Sequence, residues 1–265
     1  MEFKDLIRLI EEIADPELSE DWDNCGTQIN AGKNELNKVL ITLEITKEVI
    51  GEAQKSEADL IVSHHPLLFH PIQKIDANTP QGNYLFQLIQ SGISVYCAHT
   101  SFDKAPDGNN VYMARKIGLK EIRHFCDEFE NPSQGAMGIM GQFEETMSLR
   151  EACKWVGRAL DLPKNEIRAV GDLKKEIRTV GLCTGAGSDL ISLASRNQCD
   201  LFITGDVKYH EAQKAKEDDF CLMDAGHYGT EKIFAENFAR QLREKAKGQI
   251  EVIESKIKLN PFSID

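Results

Sequence analysis

The chain has 265 residues, 41% hydrophobic and 28% charged, with 19 Gly and 8 Pro, a globular composition long enough for one large domain or two ordinary ones. Its 31 basic against 43 acidic side chains leave a net charge of −12, which argues against a strong nucleic-acid grip or membrane docking, since both need a basic face. A small anionic substrate stays open, because a bound metal reverses the local field. Seven cysteines form no CxxC pair, and no apolar run approaches the ~20 residues that span a bilayer. With an N-terminus that reads as an amphipathic helix rather than a signal segment, these features lead us to expect a reduced, cytoplasmic protein.

After that helix, Asp23-Asn24-Cys25-Gly26 reads as a tight turn, either packing near a site or simply using Gly at a left-handed position. Val39–Ile45 is apolar and β-rich, Thr46 can cap a helix to about Lys55, and Asp59–Ser63 is a second strand ended by His64-His65-Pro66. A helix around Asn83–Gln90 and a strand at Ile93–Ala98 complete a strand–helix–strand–helix–strand run, the signature of a parallel α/β sheet. Gly135–Glu144 reads as a strand and Leu149–Leu160 as a helix broken at Asp161–Pro163. The run then returns: strand Thr179–Cys183, a helix with a Gly-rich start, strand Asp200–Thr204, helix Tyr209–Glu217 and strand Phe220–Ala225. Ile250–Ser255 is a late strand. The boundary is expected near Asn131-Pro132, giving domains 1–130 and 131–265.

The two runs resemble each other. At an offset of 141 residues Val39 meets Val180, Ala53 meets Ala194 and Asp59-Leu60 meets Asp200-Leu201; at 128, His99-x3-Asp103 lies over His227-x3-Glu231. We read an internal duplication, with His and acid at the C-terminal ends of strands, where open parallel sheets bind ligands.

Four segments there carry candidate chemistry. His64-His65 can serve as metal ligands, or as solvated imidazoles at a polar strand end. Asp103 can ligate or cap a turn; His227 and Glu231, at i and i+4, suit a metal pair or a helix N-terminal carboxylate. Asp206 and His210 sit where His64-His65 sits in the first half, and Asp206 also fits a capping role. His70 and His124 read as surface residues, and Gly185-Ala186-Gly187 as a strand-to-helix turn rather than a phosphate cradle. Imidazole and carboxylate without thiolate suit Zn, Mn, Fe or Mg, and enough ligands are present for two ions and metal-assisted hydrolysis.

Together WDNCGTQI, SHHPLLF, AHTSFD, GDVKYHEA, DAGHYGTE and the late NPF resemble the Nif-three-like dinuclear metal-centre family, also called GTP cyclohydrolase I type 2 homologs. The resemblance covers essentially the whole chain. It implies two similar α/β domains with mostly parallel sheets, and a site for two divalent metal ions in the cleft between them. It also implies a homohexameric ring. The implied ligands are His64, His65, Asp103, His227 and Glu231, with Glu231 bridging; His99 stands behind them as an orienting group or proton relay, and His210 is a second relay candidate. The implied activity is hydrolysis of a purine nucleotide by a metal-bridging hydroxide. The alternatives are a non-catalytic metal-binding or scaffold ring protein, or a phosphoesterase on another nucleotide. Cys25 stands where the family has a small apolar residue and Thr27 where it has a larger aliphatic, and the insert domain of longer relatives is absent.

Overall fold

The computed structural model describes residues 1–125, 137–163 and 165–263. By their contacts these form two compact units, Met1–Gly108 with Phe234–Leu259 and Asn109–Ile233 with Asn260–Asp265. The boundary expected near Asn131-Pro132 lies outside the described residues.

The first stretch carries α1 (Phe3–Glu11), β1 (Gly26–Ile29), β2 (Lys38–Thr42), α2 (Lys47–Lys55), β3 (Leu60–Ser63), α3 (Pro80–Gln90), β4 (Ser94–Cys97) and the short α4 (Thr100–Asp103). The second carries α5 (Asn109–Lys116), β5 (Lys120–His124), β6 (Ile139–Ser148), α6 (Leu149–Ala159), β7 (Arg168–Val170) and β8 (Glu176–Leu182). It continues with α7 (Ile191–Arg196), β9 (Leu201–Thr204), α8 (Tyr209–Glu217), β10 (Cys221–Asp224) and α9 (His227–Glu231). The chain then returns to the first unit with α10 (Phe234–Ala246) and β11 (Glu251–Glu254).

The first sheet has the order β1-β4-β3-β2-β11. Its pairings are parallel except for β1, which runs antiparallel on β4. Residues of β2, β3 and β4 are buried on both faces, which is why they read as unbroken apolar runs rather than alternating ones. Leu40, Ile61 and Val95 pack on Val49, Ile50 and Ala53 of α2 and Leu85 and Leu88 of α3. Helix α2 begins where expected because the Thr46 hydroxyl accepts from the Val49 N–H.

The second sheet, β5-β6-β8-β9-β10-β7, is less parallel than expected. Strands β8, β9 and β10 are parallel, but β5 on β6, β6 on β8 and β7 on β10 are antiparallel. The added strands are half-solvated or charged, as in Lys-Glu-Ile-Arg-His of β5; such strands suit antiparallel pairing with one wet face and not a doubly covered parallel centre. One core joins Val180, Leu201 and Met223 to Leu149, Ala152 and Val156 of α6, and another gathers Phe202, Leu222, Met140 and Leu193. A reciprocal capping box, Ser148 with Glu151, starts α6.

Both sheets contain the same three-strand run in the same register. Val39 pairs with Leu60 and Ile41 with Val62; Val180 pairs with Leu201 and Leu182 with Ile203, each displaced by 141 residues. One carboxylate repeats with them. Asp59 Oδ2 accepts from the Asn37 and Lys38 N–H groups at 2.7 and 3.2 Å, and Asp200 Oδ2 from Arg178 and Thr179 at 2.9 and 2.7 Å. Beyond the third strand the runs part. Ser63 pairs with Cys97 and Thr204 with Asp224, an offset of 127, so one extra residue separates β10 from His227. That residue is Gly226, with φ +79°, a left-handed conformation that glycine adopts without strain.

The six described cysteines are not disulfide-bonded. Among the described residues no helix is long and apolar enough to cross a membrane.

Candidate metal centre

In the first unit, strand ends bring three imidazoles together. His64 and His65 follow β3, and their N–H groups donate to Thr42 O at 3.2 Å and Leu43 O at 2.9 Å, so the pair is held against the end of β2. His99 sits at the N-terminus of α4, two residues beyond β4. The ligand atoms of His64, His65 and His99 lie within 4.8 Å of one another. The His64 ring is fully buried, 4.9 Å from the Phe234 ring and 5.1 Å from that of His99.

Each ring is held through Nδ1. His64 Nδ1 donates to Ala98 O at 2.9 Å, His65 Nδ1 to Glu44 Oε2 at 2.7 Å and His99 Nδ1 to Asp23 Oδ1 at 3.0 Å. A carbonyl can only accept, so His64 carries its proton on Nδ1 and its lone pair on Nε2; the carboxylates favour the same tautomer in the others. Asp103, 5% exposed, places Oδ2 3.7 Å from His64 Nε2.

Asp23 resolves the turn that the sequence left open. Its carboxylate is fully buried, accepts from His99 and from the Thr100 N–H at 3.1 Å and hydroxyl, and takes the Cys25 thiol at 3.1 Å. Burial works to raise the Asp23 pKa, but the hydrogen bonds from His99 and Thr100 outweigh it and hold the carboxyl well below the usual range.

The second unit holds one imidazole and one buried carboxylate. His227 and Glu231 lie one turn apart on α9, with His227 Nε2 2.9 Å from Glu231 Oε2. His227 Nδ1 donates to Asp206 Oδ2 at 2.8 Å. With the proton on Nδ1, two lone-pair donors face each other at Nε2 and Oε2, and that contact calls for a cation, a proton or a metal. Gly185, with φ +68°, lets Glu231 in: a Cβ there would lie 2.1 Å from Glu231 Oε1. The Gly-Ala-Gly turn therefore makes room for a carboxylate of the same unit.

The sequence-identified residues are carried by both units, His64, His65, His99 and Asp103 by one and His227 and Glu231 by the other. The aligned His-x3-acid motifs do not behave alike. His227 pairs with its own Glu231, whereas His99 turns to Asp23 and Asp103 to His64. His210 lies exposed on α8 with its ring 5.3 Å from that of Tyr209; Asp206, not His210, is the residue of that segment that reaches His227. Glu44 escaped sequence reasoning, although an acid two residues past β2, at the strand end shared with His64-His65, was a readable signal. His70 and His124 are exposed, as expected.

A family model described as Duf34/NIF3 (NGG1p interacting factor 3) matches residues 1–261. The chain is 31% identical over 262 residues to a GTP cyclohydrolase 1 type 2 homolog of Clostridium perfringens, covering 99% of each. It is 30% identical to NGG1-interacting factor 3 of Saccharomyces cerevisiae, covering 92% of this chain and 90% of that one. Among solved structures, the Staphylococcus aureus protein SA1388 is similar over 100% of this chain and 99% of its own, with a TM-score of 0.92 and 27% identity.

Proposed function

Because the chain belongs to the Duf34/NIF3 family, we propose that it is a metal-dependent hydrolase that binds two divalent cations and acts on a purine nucleotide. One observation carries the metal reading: four imidazoles are each anchored through Nδ1 by a carbonyl or a carboxylate, and buried carboxylates, Asp103 and Glu231, stand at Nε2 of His64 and His227. This is the arrangement in which a ring is oriented for a metal by a partner behind it. His64, His65 and Asp103, together with His227 and Glu231, would hold the ions; Zn, Mn, Fe or Mg suits nitrogen and oxygen donors without sulfur. Once bound, such ions supply Lewis-acid activation of water and of the group under attack.

The chain's own residues have distinct parts. Glu44 and Asp206 hold the rings of His65 and His227. His99, held at Nδ1 by Asp23, offers Nε2 to take up and release a proton. The matched strand registers and the repeated Asp59 and Asp200 contacts support an internal duplication. The purine rests on the names of relatives, GTP cyclohydrolase 1 type 2 homologs.

The test is turnover of GTP and of a phosphoester panel by protein loaded with Zn, Mn, Fe or Mg. Turnover with at least one metal, lost on chelation and in His64→Ala and Glu231→Ala, is expected. Fully loaded protein that converts nothing overturns the hydrolase. The name of the yeast relative, NGG1-interacting factor 3, favours a second reading as a non-catalytic scaffold; a stable protein partner retained by inactive, metal-loaded protein would select it. We further propose a homohexamer, for which sedimentation would show six chains of 29.8 kDa.

A further inference from the structure

Beside the imidazoles of the first unit stand two exposed aromatic rings. Trp22 is 59% and Phe69 41% exposed. Their centroids are 6.0 Å apart with planes at 58°, and Trp22 also meets the His99 ring edge-on at 6.2 Å. The backbone under both rings is fixed. Trp22 precedes Asp23, whose buried carboxylate grips His99 and Thr100. Phe69 follows Leu68, whose carbonyl accepts from the Asn24 side chain and whose N–H donates to Gln28 Oε1 at 3.1 Å. The segments carrying the two rings are therefore stitched to each other, and one of them is tied directly to His99. A large indole held in water by a fixed backbone leaves apolar area uncovered, which a loose loop would hide by folding the ring down.

We infer that Trp22 and Phe69 form a preorganised stacking corner for a planar heteroaromatic ring of the ligand, seating that ring against His99. The indole offers a face and Phe69 a tilted second wall, the geometry aromatic groups prefer over a parallel sandwich. Stacking of this kind tolerates any nucleobase, because every base has a π-face. Holding the platform rigid in advance removes ordering costs on binding. The proposal deepens the nucleotide reading of the same site, but it is read by binding rather than turnover.

The chain has two tryptophans, and Trp155 is engaged elsewhere, donating from Nε1 to Ile117 O at 2.7 Å. In metal-loaded full-length Trp155→Phe protein, Trp22 is therefore the only indole emitter. Guanosine and GTP are titrated against its fluorescence, with ribose 5-phosphate as a ligand lacking a ring system. Saturable quenching by guanosine and GTP but not by ribose 5-phosphate is expected. By calorimetry in the parent, Trp22→Leu and Phe69→Leu should each weaken GTP binding about tenfold or more, and Trp22→Phe should restore most of it. Metal content should be unchanged throughout. Absence of quenching in loaded protein, or GTP affinity indifferent to Trp22→Leu, overturns the corner. So does a change in sedimentation of Trp22→Leu without a change in GTP affinity, which would make this face a contact between copies. Loss of turnover alone strikes the hydrolase reading and leaves the binding result standing.

Discussion

Four imidazoles of this chain commit the same nitrogen to an acceptor, three of them to carboxylates distant in sequence. Glu44 and Asp206 are 45% and 55% exposed, so their ion pairs with histidine add little to folding stability, and their value lies in aiming a ring. We predict that Glu44→Ala and Asp206→Ala each weaken divalent-ion binding about 10–100-fold, measured by chelator competition, while the unfolding midpoint of metal-free protein hardly moves. Gly185 is the opposite kind of residue. Its left-handed φ and the 2.1 Å approach of Glu231 Oε1 leave no place for a methyl group. Gly185→Ala should cost about 1–3 kcal/mol in denaturant unfolding and also lower the metal content. Glycine at 185 was visible in the sequence, but the carboxylate it admits, 46 residues on, was not.

At the scale of elements, the turn entering the second strand of each parallel run is pinned by an aspartate. Asp59 takes the Asn37 and Lys38 N–H groups and the Lys33 ammonium, the last at 2.6 Å. Burial works to raise its pKa, and these partners outweigh it and lower the carboxyl below its ordinary value. A depressed folded pKa means that stability is fully present above the unfolded carboxylate pKa of about 4 and is lost as pH falls through the folded value. Asp59→Asn should therefore be less stable than the parent by about 1–3 kcal/mol at pH 7, and the gap should shrink below pH ~4, checked by urea unfolding at both pH values. Elements with strong patterns were legible: α2, α6, α8 and the parallel strands stand within a few residues of their expected places. Strands β1, β5 and β7 and helices α4 and α5 were not foreseen. The strands are short and half-solvated or charged, and so lack the apolar periodicity that betrays an element in isolation.

For the whole molecule, ion binding should register as folding stability. A divalent ion held at a hundredfold excess over its dissociation constant adds about 2.7 kcal/mol, a rise of ~5–10 °C in the melting temperature of a chain this size that unfolds in two states. Differential scanning calorimetry with and without chelator measures it, and elemental analysis should find close to two ions per chain in the parent and a marked loss in His64→Ala and Glu231→Ala. The sequence by itself determined the strand–helix order, the gathering of His and acid at strand ends and the family resemblance. These properties belong to neighbours along the chain, where hydrophobic periodicity and turn chemistry act. Only the tertiary structure decided that Asp23 holds His99 across 76 residues, that Asp103 turns to His64, and that β11 closes the edge of the first sheet beside β2. Which polar groups meet depends on strand register and on single residues such as Gly226, and one residue of slip redirects every side chain that follows.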